Sequence, residues 1–176
     1  MKKVLIATAI AASMALMGNS FAADTGTINF EGEITNSACS LGGGQLGTNM
    51  TIQLGLISTN RFAAAGDRSP MVDFTIALVG CDTSVAQNVD VAFAPGAGAV
   101  VNSRLLGLEN NGGAQGVAIG IQDQDGANVV IGGPATRYGL SDGNNNLNFK
   151  AFYESTSATV VAGSANGKAI FTLTYV

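Results

Sequence analysis

The chain closes on Lys168-Ala-Ile-Phe171-Thr-Leu173-Thr-Tyr175-Val176, and near its start it runs Gly26-Thr-Ile28-Asn-Phe30-Glu-Gly32-Glu-Ile34. Both stretches alternate in character residue by residue, as a half-buried strand does. In the second, Ala169, Phe171, Leu173 and Tyr175 share one face. A strand that ends with the polypeptide has no following strand to cover it. A strand at the other end of the domain can lack a partner within its own molecule. Together the two stretches predict a fold completed by a neighbouring molecule, so that folding and polymerising are one event.

Between these ends, short strand candidates alternate with turn signals. Met50 to Leu56 is one candidate. Met71 to Val79 is another, with Val72, Phe74, Ile76 and Leu78 on one face. Asn88 to Ala94 ends at Pro95-Gly96. Gly116 to Gln122 groups Val117, Ile119 and Ile121. Asn128 to Ile131 is short and stops at Gly132-Gly133-Pro134, and Leu147 to Tyr153 groups Leu147, Phe149, Ala151 and Tyr153. The separators are Asn110-Asn-Gly-Gly113, Asp125-Gly126, Asp142-Gly-Asn-Asn-Asn146 and Asn166-Gly167, in which Gly and Asn accept positive φ. Regular short strands of this kind predict an all-β sandwich. Thr59 to Ala65 is the one helix-like piece. No internal repeat, linker or second domain is visible.

The beginning of the chain reads as a secretory leader. Lys2 and Lys3 precede an apolar run of 14 residues, Val4 to Met17, and Ser20-Phe21-Ala22 offers small residues for cleavage after Ala22. The run is short of the roughly 20 residues that a spanning helix needs. Losing the two leader lysines takes the formal net charge from −4 to −6. The four arginines are scattered, so no basic patch invites nucleic acid or an anionic membrane. Charged residues make up only 11% of the chain and apolar ones 47%, too many for a disordered protein. The two cysteines, Cys39 and Cys81, predict a structural disulfide in an oxidising compartment. The bridge would close a loop of about 42 residues, rated at roughly 4 kcal/mol by the chain-entropy model.

Little chemistry can be built from these residues. The chain has no His and no Trp, which removes Ser-His-Asp sets, Cys-His pairs and His-based metal sites. Asp123-Gln-Asp125-Gly126 starts like a calcium loop but lacks the further oxygen ligands, and reads as a turn. Glu31 and Glu33 alternate with Phe30, Gly32 and Ile34, which places them on a solvated strand face. Pro95-Gly-Ala-Gly98 has neither the third glycine of a dinucleotide loop nor the Lys-Ser/Thr of a phosphate loop. No catalytic residue, metal, cofactor or small-molecule substrate is expected.

Taken together, the leader, Gly26 to Cys39, Thr51-Ile-Gln-Leu-Gly55, Val79-Gly-Cys81-Asp82, Val89-Asp-Val-Ala-Phe93 and Phe171-Thr-Leu-Thr-Tyr175-Val176 resemble the major subunits of type 1-like fimbriae. These are pilins assembled by the chaperone–usher route. The most specific marks are the cysteine spacing, the penultimate Tyr175 and Gly163, which is fourteenth from the end. The resemblance implies an incomplete immunoglobulin-like β-sandwich lacking its last strand, completed by donor-strand complementation. It divides the chain into a signal peptide (1–22), an N-terminal donor extension (23–35) and a pilin domain (36–176). The donor strand would present Gly26, Ile28, Phe30, Gly32 and Ile34. The acceptor groove, which is also the chaperone's handle, would use Gly163, Phe171, Leu173 and Tyr175. Implied partners are identical or related pilin subunits, a periplasmic chaperone and an outer-membrane usher. The implied destination is a surface fimbria that supports cell adhesion. The alternatives are a minor or adaptor pilin of the same fibre, and a carbohydrate-binding tip adhesin. The adhesin would carry a lectin domain and no donor extension.

Overall fold

Phe149 sits at the centre of the molecule, stacked on Phe74 at 5.4 Å and met edge-on by Phe93 at 5.2 Å and Tyr138 at 5.9 Å. These rings come from both layers of a two-sheet antiparallel sandwich, the all-β class that the alternating pattern predicts. The structure, a computed structural model, describes residues 26–29, 34–109 and 113–176. The leader, Phe30 and Gly32 lie outside the described residues, as does most of the Asn110–Gly113 turn. Met1–Ile34 and Thr35–Val176 are separate units. In the first, residues 26–29 and Ile34 carry no regular secondary structure.

The second unit holds nine strands: β1 (Ser40–Leu41), β2 (Val72–Cys81), β3 (Asn88–Ala97), β4 (Val100–Val101), β5 (Leu105–Leu106), β6 (Val117–Asp123), β7 (Thr136–Gly139), β8 (Gly143–Ser155) and β9 (Lys168–Tyr175). One sheet has the order β1-β2-β8-β6-β5-β4 and the other β7-β3-β9. The helix-like piece is a single 3₁₀ turn, Thr59–Arg61, with the Ser58 hydroxyl accepting from the Asn60 N–H. Between the sheets, Ile76, Leu78, Leu147 and Phe149 meet Val89, Val91 and Phe93, all of them buried. Cys39 and Cys81 are joined in a disulfide that ties the chain before β1 to the end of β2.

Several expectations are corrected. Met50 to Leu56 forms no strand, because no neighbour among the described residues supplies a ladder. β3 runs past Pro95-Gly96 to Ala97, with the register against β9 shifting between Pro95 and Ala97. Such a bulge accommodates a residue without an N–H. Asn128 to Ile131 makes one isolated bridge, Gln122↔Asn128, instead of a strand. The Asp142 to Asn146 turn is shorter than expected. β8 already begins at Gly143, and Asn145 and Asn146 pair with Leu78 and Ala77 of β2.

Before β2 the chain continues along β8. The Ser69 N–H donates to the Tyr153 carbonyl at 2.9 Å, and the Ser155 N–H to the Asp67 carbonyl at 2.9 Å. Here Glu154, only 4% exposed, receives Arg68 Nε at 2.9 Å and Arg104 Nη2. The Arg68 guanidinium also lies over the Phe152 ring, 4.5 Å from its centre. Burial pushes the Glu154 carboxyl up, but Arg104 and Arg68 together outweigh it and hold the pKa below the ordinary glutamate value.

A glutamate held low in the folded state contributes stability above its unfolded pKa of about 4.3, and that stability is lost as pH falls through the folded value. Glu154→Gln should cost about 3–5 kcal/mol at neutral pH, since it strands two partly buried guanidiniums. Its stability should also fall less steeply in acid than the parent's. Denaturant titrations of both proteins across the acid range check this, and parallel curves would contradict it.

Candidate functional site

The last strand has one partner only. β9 pairs along β3, with Phe171 opposite Phe93, Leu173 opposite Val91 and Tyr175 opposite Val89. The end is pinned as well: the Val176 carbonyl accepts from the Gln87 and Asn88 N–H groups, and its own N–H donates to Asn88. The other edge of β9 faces no strand among the described residues. Phe171, Leu173 and Tyr175 are half-buried and pack against the core, while Ile170, Thr172 and Thr174 point outward. Burial raises the pKa of the Tyr175 hydroxyl.

A second unpaired run faces the same space. From Met50 to Leu54 the side chains alternate between half-buried (Met50, Ile52, Leu54) and exposed (Thr51, Gln53). Among the described residues, the backbone of this run makes one hydrogen bond, from the Thr51 N–H to Gln45 Oε1 at 2.9 Å. Between this run and the start of β9 lies a cavity of about 210 Å³. Met50, Ile52 and Leu54 line one wall, and Gly167, Ala169 and Phe171 line the other. Its floor is Phe74, Phe93, Ile119 and Ile121. Lys168 is the one charged residue lining it among those described.

The trough continues past Gly55, Ala165 and Asn166 into a second depression bounded by Leu56, Ile57 and Phe62 on one side. Opposite them runs the β8–β9 connection, Val160 to Asn166, which includes Gly163. A Cβ on Gly163 would sit 2.5 Å from the Ala114 nitrogen and from the Gly113 carbonyl carbon, so only glycine lets these backbones cross. The connection is fixed by the Tyr153 hydroxyl donating to the Ala165 carbonyl at 2.8 Å, and by the Ala114 N–H donating to Ser164 at 2.8 Å.

Sequence reasoning placed one wall of this trough on β9 and missed the other. Its signal was the Met50-Ile52-Leu54 alternation, read as an ordinary strand. Of the three β9 residues singled out, Phe171 lines the cavity, while Leu173 and Tyr175 pack further along the strand. Gly163 shapes the far end instead of the β9 edge. In the first unit, Ile28 is 76% exposed and Ile34 fully so, and Gly26 is exposed too. Asp123 closes a turn: its Oδ1 accepts from the Asp125 and Ala127 N–H groups at 3.0 and 2.8 Å.

A family model described as Fimbrial protein matches residues 28–176. The chain belongs to the fimbrial protein family. It is 39% identical to the probable major fimbrial subunit LpfA of Escherichia coli O157:H7, over 99% of this chain and 97% of that protein. Among solved structures it is similar to the P pilus rod subunit PapA, at 32% identity and a TM-score of 0.65, over 80% of this chain and all of PapA. It is also similar to a subunit of a chaperone–usher pilus, at 29% identity and a TM-score of 0.74, over 90% of this chain and all of that one. The sandwich is therefore the immunoglobulin-like fold of pilins, and this fimbrial subunit is a structural protein of a surface fimbria that polymerises with related pilins.

Because Gly163 admits a backbone crossing, Gly163→Ala should force the crossing open and cost about 1–3 kcal/mol. The denaturant midpoint of the purified subunit reads this, and an unchanged midpoint would show that the crossing is not close-packed.

Proposed function

We propose that the trough is the acceptor for a donor strand from another copy of this subunit. The observation that carries the reading is that, among the described residues, the Met50–Leu54 run and the outer edge of β9 both lack a strand partner and face each other across an apolar floor. Buried backbone groups need partners, and an extended segment laid between the two runs would supply them to both. The donor is the stretch from Asp24 to Ile34. Its apolar residues Ile28, Phe30 and Ile34 would contribute roughly 5–9 kcal/mol at 1.5–3 kcal/mol each. Strand addition would contribute main-chain hydrogen bonds as well. Gly26 and Gly32 share that face and bring no side chain, which suits the shallower parts of the trough.

A donor taken from one copy and an acceptor offered by the next make a head-to-tail contact that does not close on itself, which gives an open filament. Before that exchange, a periplasmic chaperone fills the trough, with Phe171, Leu173, Tyr175 and the Gly163 region as its handle. An outer-membrane usher then replaces the chaperone with the incoming donor. The resulting fibre supports adhesion of the cell. The role is structural and needs no catalytic group. An adaptor or a tip adhesin is the less favoured reading, since the chain is similar along its length to a protein described as a probable major subunit.

Deleting Asp24 to Glu33 should leave a subunit that co-purifies with its chaperone but extends no fibre. Fibres of normal length from that variant, seen by electron microscopy, would overturn the donor assignment. Tyr175→Ala should lower the periplasmic level of the subunit by weakening capture. Quantitative immunoblotting of periplasmic extracts checks this, and an unchanged level would remove Tyr175 from the handle.

A further inference from the structure

We infer that Asn166 is a self-modification site of the waiting subunit, open while the trough is empty and closed once a donor fills it; the second half of this inference rests on the function proposed above. Asn166 lines both the cavity's continuation and the second depression, and Gly167 lines the cavity itself, so the pair sits where the parts of the trough meet. Both residues are exposed. Among the described residues, neither the Asn166 carboxamide nor the Gly167 N–H has a hydrogen-bond partner. The frame around them is held. The Asn166 carbonyl accepts from the Glu109 N–H at 2.8 Å, Ala165 is bound by Tyr153, and Lys168 opens β9.

Asn followed by Gly is the pairing most open to attack of the next backbone nitrogen on the side-chain amide, because glycine has no Cβ to obstruct the approach. A Cβ at position 167 would lie 2.7 Å from Ile119 Cδ1 and 3.3 Å from Leu106 Cδ2, so a side chain there would have to displace the tip of Ile119. The residue that leaves room for Ile119 also makes Asn166 reactive.

The step balances without an oxidant or cofactor. The Gly167 nitrogen, having given its proton to base, attacks Asn166 Cγ. The carboxamide C–N bond breaks and ammonia leaves with a proton, closing a five-membered succinimide. Water then opens the ring. Cleavage at Cγ gives aspartate, and cleavage at the backbone carbonyl gives isoaspartate, with one extra carbon in the main chain immediately before β9. Either product places a carboxylate where an apolar donor has to lie, which costs free energy unless the charge is paired. Subunits left with an empty trough, free of both chaperone and donor, would accumulate this mark, and subunits in a fibre would not.

The test compares the full mature chain as unassembled subunit and as fibre, incubated side by side at mildly alkaline pH. Peptide mapping by mass spectrometry and enzymatic isoaspartate labelling read the product. Asn166 should convert several-fold faster in the unassembled subunit. No conversion there overturns the modification site and leaves the donor reading standing. Equal conversion in intact fibres overturns the closing of the site and shows that the donor does not reach this end of the trough. Asn166→Asp, which carries the product charge, should extend into fibres several-fold more slowly than Asn166→Gln, which keeps the amide. Equal extension of the two variants overturns the predicted consequence.

Discussion

The edge of β9 that has no partner is the constraint on which the rest of the molecule depends. A peptide backbone must find hydrogen bonds wherever water is excluded, and among the described residues a whole strand satisfies them on one side only. The Met50–Leu54 run has the same deficit, and an apolar floor separates the two. A monomer in this state leaves in contact with water a surface that ordinary sandwiches bury. Similarity to PapA and to a chaperone–usher pilus subunit places the sandwich among pilus subunits.

An open trough persists only if its walls cannot close on each other. β9 cannot slide across to the Met50–Leu54 run, because its register with β3 is set from Lys168 to Tyr175 and its end is bound through Val176. Phe171 leans on Phe93, with ring centres 6.4 Å apart, and Phe93 meets Phe149 at the centre of the core. On the other side, the disulfide holds the chain that enters β1 against the end of β2. The Arg68–Glu154–Arg104 group fixes the stretch that leads from the second depression into β2. These features hold the two walls apart.

How much of this was legible in the sequence follows from what alternation reports. It reports which side chains face an apolar environment. In β2 and β9 one face is buried and the other open, so the two-residue period is clean. In β6 the face of Val117, Ile119 and Ile121 is legible, but the burial of Ala118 and Gly120 on the opposite face, the latter against Phe152, is not. β1, β4 and β5 have two residues each and show no period at all. Met50 to Leu54 has the period without the ladder, since alternation carries no information about whether a hydrogen-bonding neighbour exists. That ambiguity hid half of the candidate site. Gly163 was legible only through family resemblance: its reason is a crossing with Gly113 and Ala114, a contact distant in the chain that leaves no local pattern.

A glycine also sets the shape of the trough. At 163 a Cβ would meet the backbone of Gly113 and Ala114, so the far end of the trough is narrow because backbones approach there directly. A narrow end formed by glycine cannot relax by changing a rotamer, whereas a wall of Leu or Met can. The trough thus combines an adaptable wall, Met50-Ile52-Leu54, with a rigid one, β9 and its glycine-bounded approach. In the donor-strand reading, the rigid wall sets the register of whatever enters and the adaptable wall closes over it. The same subunit could then hold a chaperone strand first and a neighbour's strand later without rebuilding its core.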